Sequence, residues 1–245
     1  MPIIDVDGLY GSLLPVSRGE NREELLVLLD RFGIDRIILA SALAVKGDFQ
    51  RGNAELHQLL EGQSKLRGYV TVNAHYPEES IAEVRRYLSR SNFVGTRFYP
   101  ADTRLRLAAE GSRRVLSALR RFGRPIFVVA HTEEEVRDTV TIAQEFTTLP
   151  FILGHLGEEL WEMALGAVEE VLNIHLAVGG IHADRDKIKE AIELVGPRRL
   201  MFGSGLPVLH PAYAAGMVHD AGIPNPHKER VFYRNAQGLF GLRVE

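Results

Sequence analysis

Eight short apolar runs, spaced at roughly 23 to 33 residues, restrict what this chain can fold into. They are Ile3–Val6, Arg36–Ala40, Gly68–Val72, Phe93–Phe98, Pro125–Val129, Phe151–Leu153, Ile174–Val178 and Arg199–Gly203. A run that is apolar on both faces must be covered on both, as in a parallel sheet flanked by helices. The spacing is that of one strand–helix unit. Eight such units predict a closed (β/α)8 barrel. An open doubly wound sheet is the alternative, but no Gly-x-Gly-x-x-Gly turn follows the first run and no Walker-type loop is present, which weakens its nucleotide-binding forms.

The segments between the runs carry helix punctuation. Asn21 is placed to cap a helix that presents Leu25, Leu28, Leu29 and Phe32 on one face and ends at Gly33. Pro77 sits at a first-turn position ahead of Ile81, Val84 and Leu88. Thr132 and Glu135 have capping-box spacing, so a helix is expected to begin directly after His131. Glu158 and Glu159 are expected to open a helix, Leu160 through Val171 to form the sixth, and Pro226 to Leu242 to form a closing helix with a short end. No linker or low-complexity tract interrupts the 245 residues, which read as one domain, 1–245.

Composition narrows the classes of function. A net charge of −3 with scattered basic pairs leaves no footprint for nucleic acid or an anionic membrane. The absence of cysteine rules out disulfides, thiolate metal sites and a cysteine nucleophile. The amino-terminal stretch runs into Asp5 and Asp7 and does not read as a signal peptide, and no apolar run approaches the ~18 residues of a membrane span. A cytoplasmic protein with a small-molecule substrate or ligand is expected, and a homo-oligomer is the base-rate assembly.

In a barrel, function gathers just past the carboxyl ends of the strands. There the sequence places Asp7, Ser41, Asn73, His75, Arg97, Tyr99, His131, His155, His182 and Ser204. Imidazoles with a carboxylate can hold a divalent metal or move protons. His155, at the tip of Pro150–Gly157, is the reference point for acid–base work, with His131 and Asp7 as its companions. Asn73, Tyr99, Ser204 and His182 are candidate substrate-binding groups. Arg97 lies in an otherwise apolar strand and must find an anion, either a protein carboxylate such as Asp7 or Asp5 or the carboxylate of a substrate.

Several of these stretches resemble the amidohydrolase-related (amidohydrolase 2) barrels. They are Ile3-Ile4-Asp5-Val6-Asp7-Gly8-Leu9-Tyr10-Gly11, Gly95-Thr96-Arg97, Ile152-Leu153-Gly154-His155-Leu156-Gly157, Arg199-Leu200-Met201-Phe202-Gly203-Ser204-Gly205-Leu206-Pro207, and Asn235-Ala236 before Leu239-Phe240. The resemblance implies a metal-dependent hydrolase or decarboxylase acting on small carboxylated or cyclic compounds. It also implies a metal held by a His-x-His pair on the first strand, a His on the fifth and an Asp on the eighth, with the sixth-strand His working on substrate or water. In this chain Asp7 and Leu9 stand where the pair is expected, His131 matches the fifth strand, His155 the sixth, and Gly205 replaces the aspartate. The implied metal set is therefore Asp7 and His131, fewer than the roughly three protein ligands of a catalytic zinc site. A zinc or manganese ion would be weakly held or absent. Two functions follow: C–O or C–N hydrolysis (or non-oxidative decarboxylation) at an altered site, or a catalytically inactive barrel that binds or senses a small molecule.

Overall fold

The computed structural model describes residues 1–11 and 21–243. Its eight strands are β1 (Ile4–Tyr10), β2 (Arg36–Ser41), β3 (Leu66–Thr71), β4 (Phe93–Phe98), β5 (Ile126–Val128), β6 (Phe151–Leu153), β7 (Ile174–Val178) and β8 (Leu200–Phe202). They pair in parallel and in strict chain order. A doubly wound sheet would reverse its order at a switch point; this one closes on itself. Gly8 bridges to Leu206, the Leu9 N–H donates to the Leu206 carbonyl at 2.8 Å, and the Gly205 N–H donates to the Asp7 carbonyl at 3.0 Å. The seam thus lies just beyond β8, and the molecule is a (β/α)8 barrel.

Two apolar layers support it. Ile4, Val6, Ile38, Tyr69, Phe127, Ile152, Ala177 and Met201 fill the barrel interior. Ile37, Leu39, Val70, Val128 and Leu176 face outward, against helix residues such as Leu25, Leu29, Val84, Leu116 and Ile142. The capping signals act where the sequence places them. The Asn21 side chain accepts the Glu24 N–H at 2.8 Å, Pro77 occupies the first turn of its helix, and Thr132 with Glu135 forms a reciprocal capping box. At the tail, the Asn235 amide donates to the Pro197 and Leu200 carbonyls, both at 2.7 Å, tying the last helical segment to the start of β8.

Two local expectations are corrected. β1 runs on to Tyr10, so Asp7 lies within the strand rather than after it. Between Asp5 and Gly8 the strand carries one more residue than its partner β2, a bulge, and both Val6 of the inner layer and Asp7 of the cavity wall fall on the interior side. The sixth helix, Trp161–Glu170, matches the expected Leu160–Val171 to within a residue at each end, but Glu158 and Glu159 precede it rather than open it. The segment Gly154–Leu160 is instead a tight turn whose residues His155, Leu156, Gly157 and Glu158 have φ of 57°, 53°, 81° and 52°.

Candidate active site

That turn builds the site. A left-handed conformation costs a residue with a side chain about 1–2 kcal/mol, and three of the four residues here are not glycine. The conformation brings the Glu158 carboxylate back under the imidazole from which it is separated by only two residues. His155 Nδ1 lies 3.0 Å from Glu158 Oε1, and His155 Nε2 lies 3.0 Å from Asp7 Oδ2. The turn needs room on both sides. A Cβ on Gly154 would sit 2.6 Å from the Phe127 ring, and one on Gly180 would meet the His155 Cβ at 2.8 Å and Glu158 Oε1 at 3.0 Å.

Behind the imidazole, Asp7 Oδ1 accepts from Arg97 Nη2 at 2.7 Å, and both side chains are only 2% exposed. The guanidinium lies over the Phe127 ring (4.2 Å to its centroid) and beside that of Tyr99 (5.1 Å). Four charged groups therefore run in sequence from the barrel interior outward: Arg97, Asp7, His155 and Glu158. Their ionisation follows from these contacts. Burial works to raise the Asp7 pKa, but Arg97 and then His155 outweigh it and hold the carboxyl well below its usual range. Burial would lower the His155 pKa, yet Asp7 first and Glu158 after it push it up to about 9. Glu158 is held low by His155 against its own partial burial. At neutral pH the imidazole is a cation between two carboxylates.

These groups end at a cavity of about 280 Å³ at the carboxyl ends of the strands. Its wall contains Asp7, Arg97, Tyr99, Asp102, His131, His155 and Glu158, together with apolar side chains such as Leu9, Val45, Val129 and Leu206. Of the residues expected from sequence, His155, His131, Asp7, Arg97 and Tyr99 do meet here. Asn73, Ser204 and His182 do not line it. Asn73 Oδ1 accepts the His75 N–H at 3.1 Å and shapes the turn ahead of helix Pro77–Tyr87. Ser204 is fully buried, its Oγ accepting the Leu206 N–H and its own N–H donating to Asp5 Oδ1. His182 lies outside the wall, 3.6 Å from the exposed Glu159. For Arg97 the anion met in this structure is the protein's own Asp7. Two wall residues, Glu158 and Asp102, are not evident from the sequence pattern; the His-x-x-Glu spacing of 155 and 158 is the one signal that points to either.

The metal positions can be tested against this geometry. Both oxygens of Asp7 face cations, Arg97 on one side and His155 on the other. A metal ion at Asp7 would have to displace them or sit beside a buried guanidinium. Leu9 and Gly205 line the cavity without a side-chain ligand atom, and among the described residues no three His, Cys, Asp or Glu side chains converge to hold a metal. Asp7 and His131 do not make a metal site here. Among the described residues, no helix is long and apolar enough to cross a membrane.

Comparison with known proteins agrees with the architecture. The amidohydrolase family profile matches residues 23–242. No curated protein sequence matches. Among solved structures the chain is similar to dihydroxybenzoic acid decarboxylase from Polaromonas with bound manganese and the inhibitor 2-nitroresorcinol (18% identity, 99% of this chain and 98% of that one, TM-score 0.83). It is also similar to 2,6-dihydroxybenzoate decarboxylase from Rhizobium (16%, 98% and 98%, 0.82) and to 5-carboxyvanillate decarboxylase from Sphingomonas paucimobilis (16%, 99% and 99%, 0.79). At these identities the likeness is one of fold.

Proposed function

The chain belongs to the amidohydrolase family, and on that premise we propose that it is an enzyme that hydrolyses a C–O or C–N bond of a small cyclic molecule, an ester, lactone or amide, by acid–base chemistry centred on His155. The observation that carries this reading is the imidazole fixed between Asp7 and Glu158 at the cavity wall. As a cation at neutral pH, His155 is a proton donor. Nε2 stays against Asp7, while the proton on Nδ1, on the side of Glu158, which is 19% exposed against 2% for Asp7, passes to the leaving oxygen or nitrogen. His131, also in the wall, takes the proton of the attacking water as its hydroxyl adds to the acyl carbon and the C–O or C–N bond breaks. Asp7 and Arg97 do not touch the substrate in this scheme; they position and charge the imidazole. No step runs through a metal.

The test is turnover of a panel of lactones, aryl esters, cyclic amides and hydroxybenzoates by protein dialysed against a chelator. Removing a general acid lowers turnover about 10²–10⁴-fold, so His155→Gln is expected to lose that much while keeping its circular dichroism spectrum. An unchanged rate in His155→Gln would sink the assignment, and turnover confined to hydroxybenzoates would replace hydrolysis by decarboxylation. The donorless Leu9 and Gly205 favour a second reading, a binding protein without turnover. Its signature is a ligand-induced thermal shift with no product from any member of the panel.

A further inference from the structure

The same cavity carries an inference about which ligands it admits, one that depends on its being the substrate site but not on the bond that is broken. Among the described residues, Arg97 is the only lysine or arginine in its wall. That guanidinium is already engaged by Asp7 at 2.7 Å, donates from Nη1 to the Gly8 carbonyl at 3.5 Å, and is covered by the Phe127 and Tyr99 rings. His155 is flanked in turn, each ring nitrogen 3.0 Å from a carboxylate. Against the cations Arg97 and His155 stand three carboxylates: Asp7, Glu158 and Asp102. The rest of the wall is largely apolar, and two of the positions where the family resemblance leads one to expect metal ligands are Leu9 and Gly205.

An anionic ligand entering this space would lose its hydration, find no uncommitted lysine or arginine, and face Asp102 and Glu158. Burying an unpaired charge beside like charges is among the most unfavourable arrangements in a protein. An uncharged ring meets apolar wall and brings no charge that needs a partner. We propose that the cavity selects a small ring-bearing molecule without an anionic group and excludes carboxylates, the exclusion being set by the closed Asp7–Arg97 pair and the surplus carboxylate of Asp102. The volume of about 280 Å³, at the small end of ligand sites, suits a single substituted ring.

Benzamide and benzoate, which share ring and size and differ in charge, test this by calorimetric titration of the full chain at pH 7.5. Like-charge juxtaposition in a binding site strongly disfavours the wrong partner, so benzamide is expected to bind at least about tenfold more tightly than benzoate. In Asp102→Asn, at an exposed position, the ratio should shrink about threefold or more through a gain in benzoate affinity. In Asp7→Asn, which releases Arg97, benzoate should gain further. Benzoate binding as tightly as benzamide overturns the proposal, as does a ratio that Asp102→Asn leaves unmoved. Failure of both compounds to bind overturns it too, since an apolar cavity that accepts neither ring is not the ligand site. Hydrolysis can fail for every ester and lactone while the order of these two ligands holds, so the two readings fall separately.

Discussion

Asp5 and Asp7 are two residues apart on the same strand and both are buried, yet they end in opposite chemical states. Among the described residues, no cation lies beside Asp5. Its Oδ1 accepts the backbone N–H groups of Asp7 at 3.0 Å and Ser204 at 2.9 Å, so it stitches β1 to the segment after β8 where the barrel closes. Burial dominates there, only partly offset by those hydrogen bonds, and raises its pKa to about 7. Asp7, one bulge further on, meets Arg97 and His155 and is driven the other way. Burial alone does not decide the charge of a carboxylate; the partner that the fold delivers does. The lower carboxylate holds the barrel shut, and the upper one keeps a histidine charged.

Breaking the Asp7 pair is expected to have the largest effect on stability. Asp7→Leu leaves Arg97 buried without an anion and should cost about 3–5 kcal/mol, read from urea unfolding. Adding Arg97→Met to it should restore most of that loss, because an ion pair replaced by packed apolar groups is often neutral. A double variant no better than the single would mean that the pair does not act as a unit.

Asp5 should behave in the reverse sense. A group whose folded pKa is raised contributes stability that is complete below its unfolded value and is lost as pH rises through the folded one. The wild type should therefore lose stability between about pH 4 and pH 7 through Asp5, by about 2–4 kcal/mol, since each tenfold rise in proton affinity on folding is worth about 1.4 kcal/mol. Asp5→Asn keeps an acceptor oxygen and should flatten that slope, being as stable as wild type or more so near pH 8. A strongly destabilised Asp5→Asn at pH 8 would show that the ionised form is what closes the barrel.

The smallest expected effect is alkaline. The His155 pKa is raised from 6.5 to about 9, so its ion-pair contribution is complete below about pH 6.5 and disappears as pH passes through about 9. With the ring partly open to solvent, screening leaves that contribution at about 1–2 kcal/mol. Thermal unfolding of wild type and His155→Gln over pH 6–10 should converge at the alkaline end; curves that stay parallel would contradict a charged His155.

How much of this was legible depended on range along the chain. The eight strands, the Asn21 cap and the Thr132–Glu135 box were readable because hydrophobic alternation and capping are local, and their boundaries fell within a few residues. β1 extends past its apolar run because Asp5 and Asp7 interrupt the pattern without interrupting the strand. Asn73, Ser204 and His182 were expected in the site because each follows a strand. The direction of a side chain past a strand end is set by turns and bulges, and theirs turn to backbone N–H groups or the rim. Glu158 was hidden for a related reason: of the four consecutive left-handed residues, only Gly157 is a residue type that announces such a conformation.

By itself the sequence determined the order of eight strand–helix units, the family, and the absence of donor atoms at Leu9 and Gly205, since no fold can make those side chains ligate. Tertiary structure decided what replaced them. Arg97 and Asp7 are 90 residues apart, and no local pattern says whether a guanidinium will meet a protein carboxylate or a ligand's. Only closure of the barrel brings the two strands to the same depth. There, shut away from water, the pair holds His155 as a cation at the cavity wall, beside Glu158.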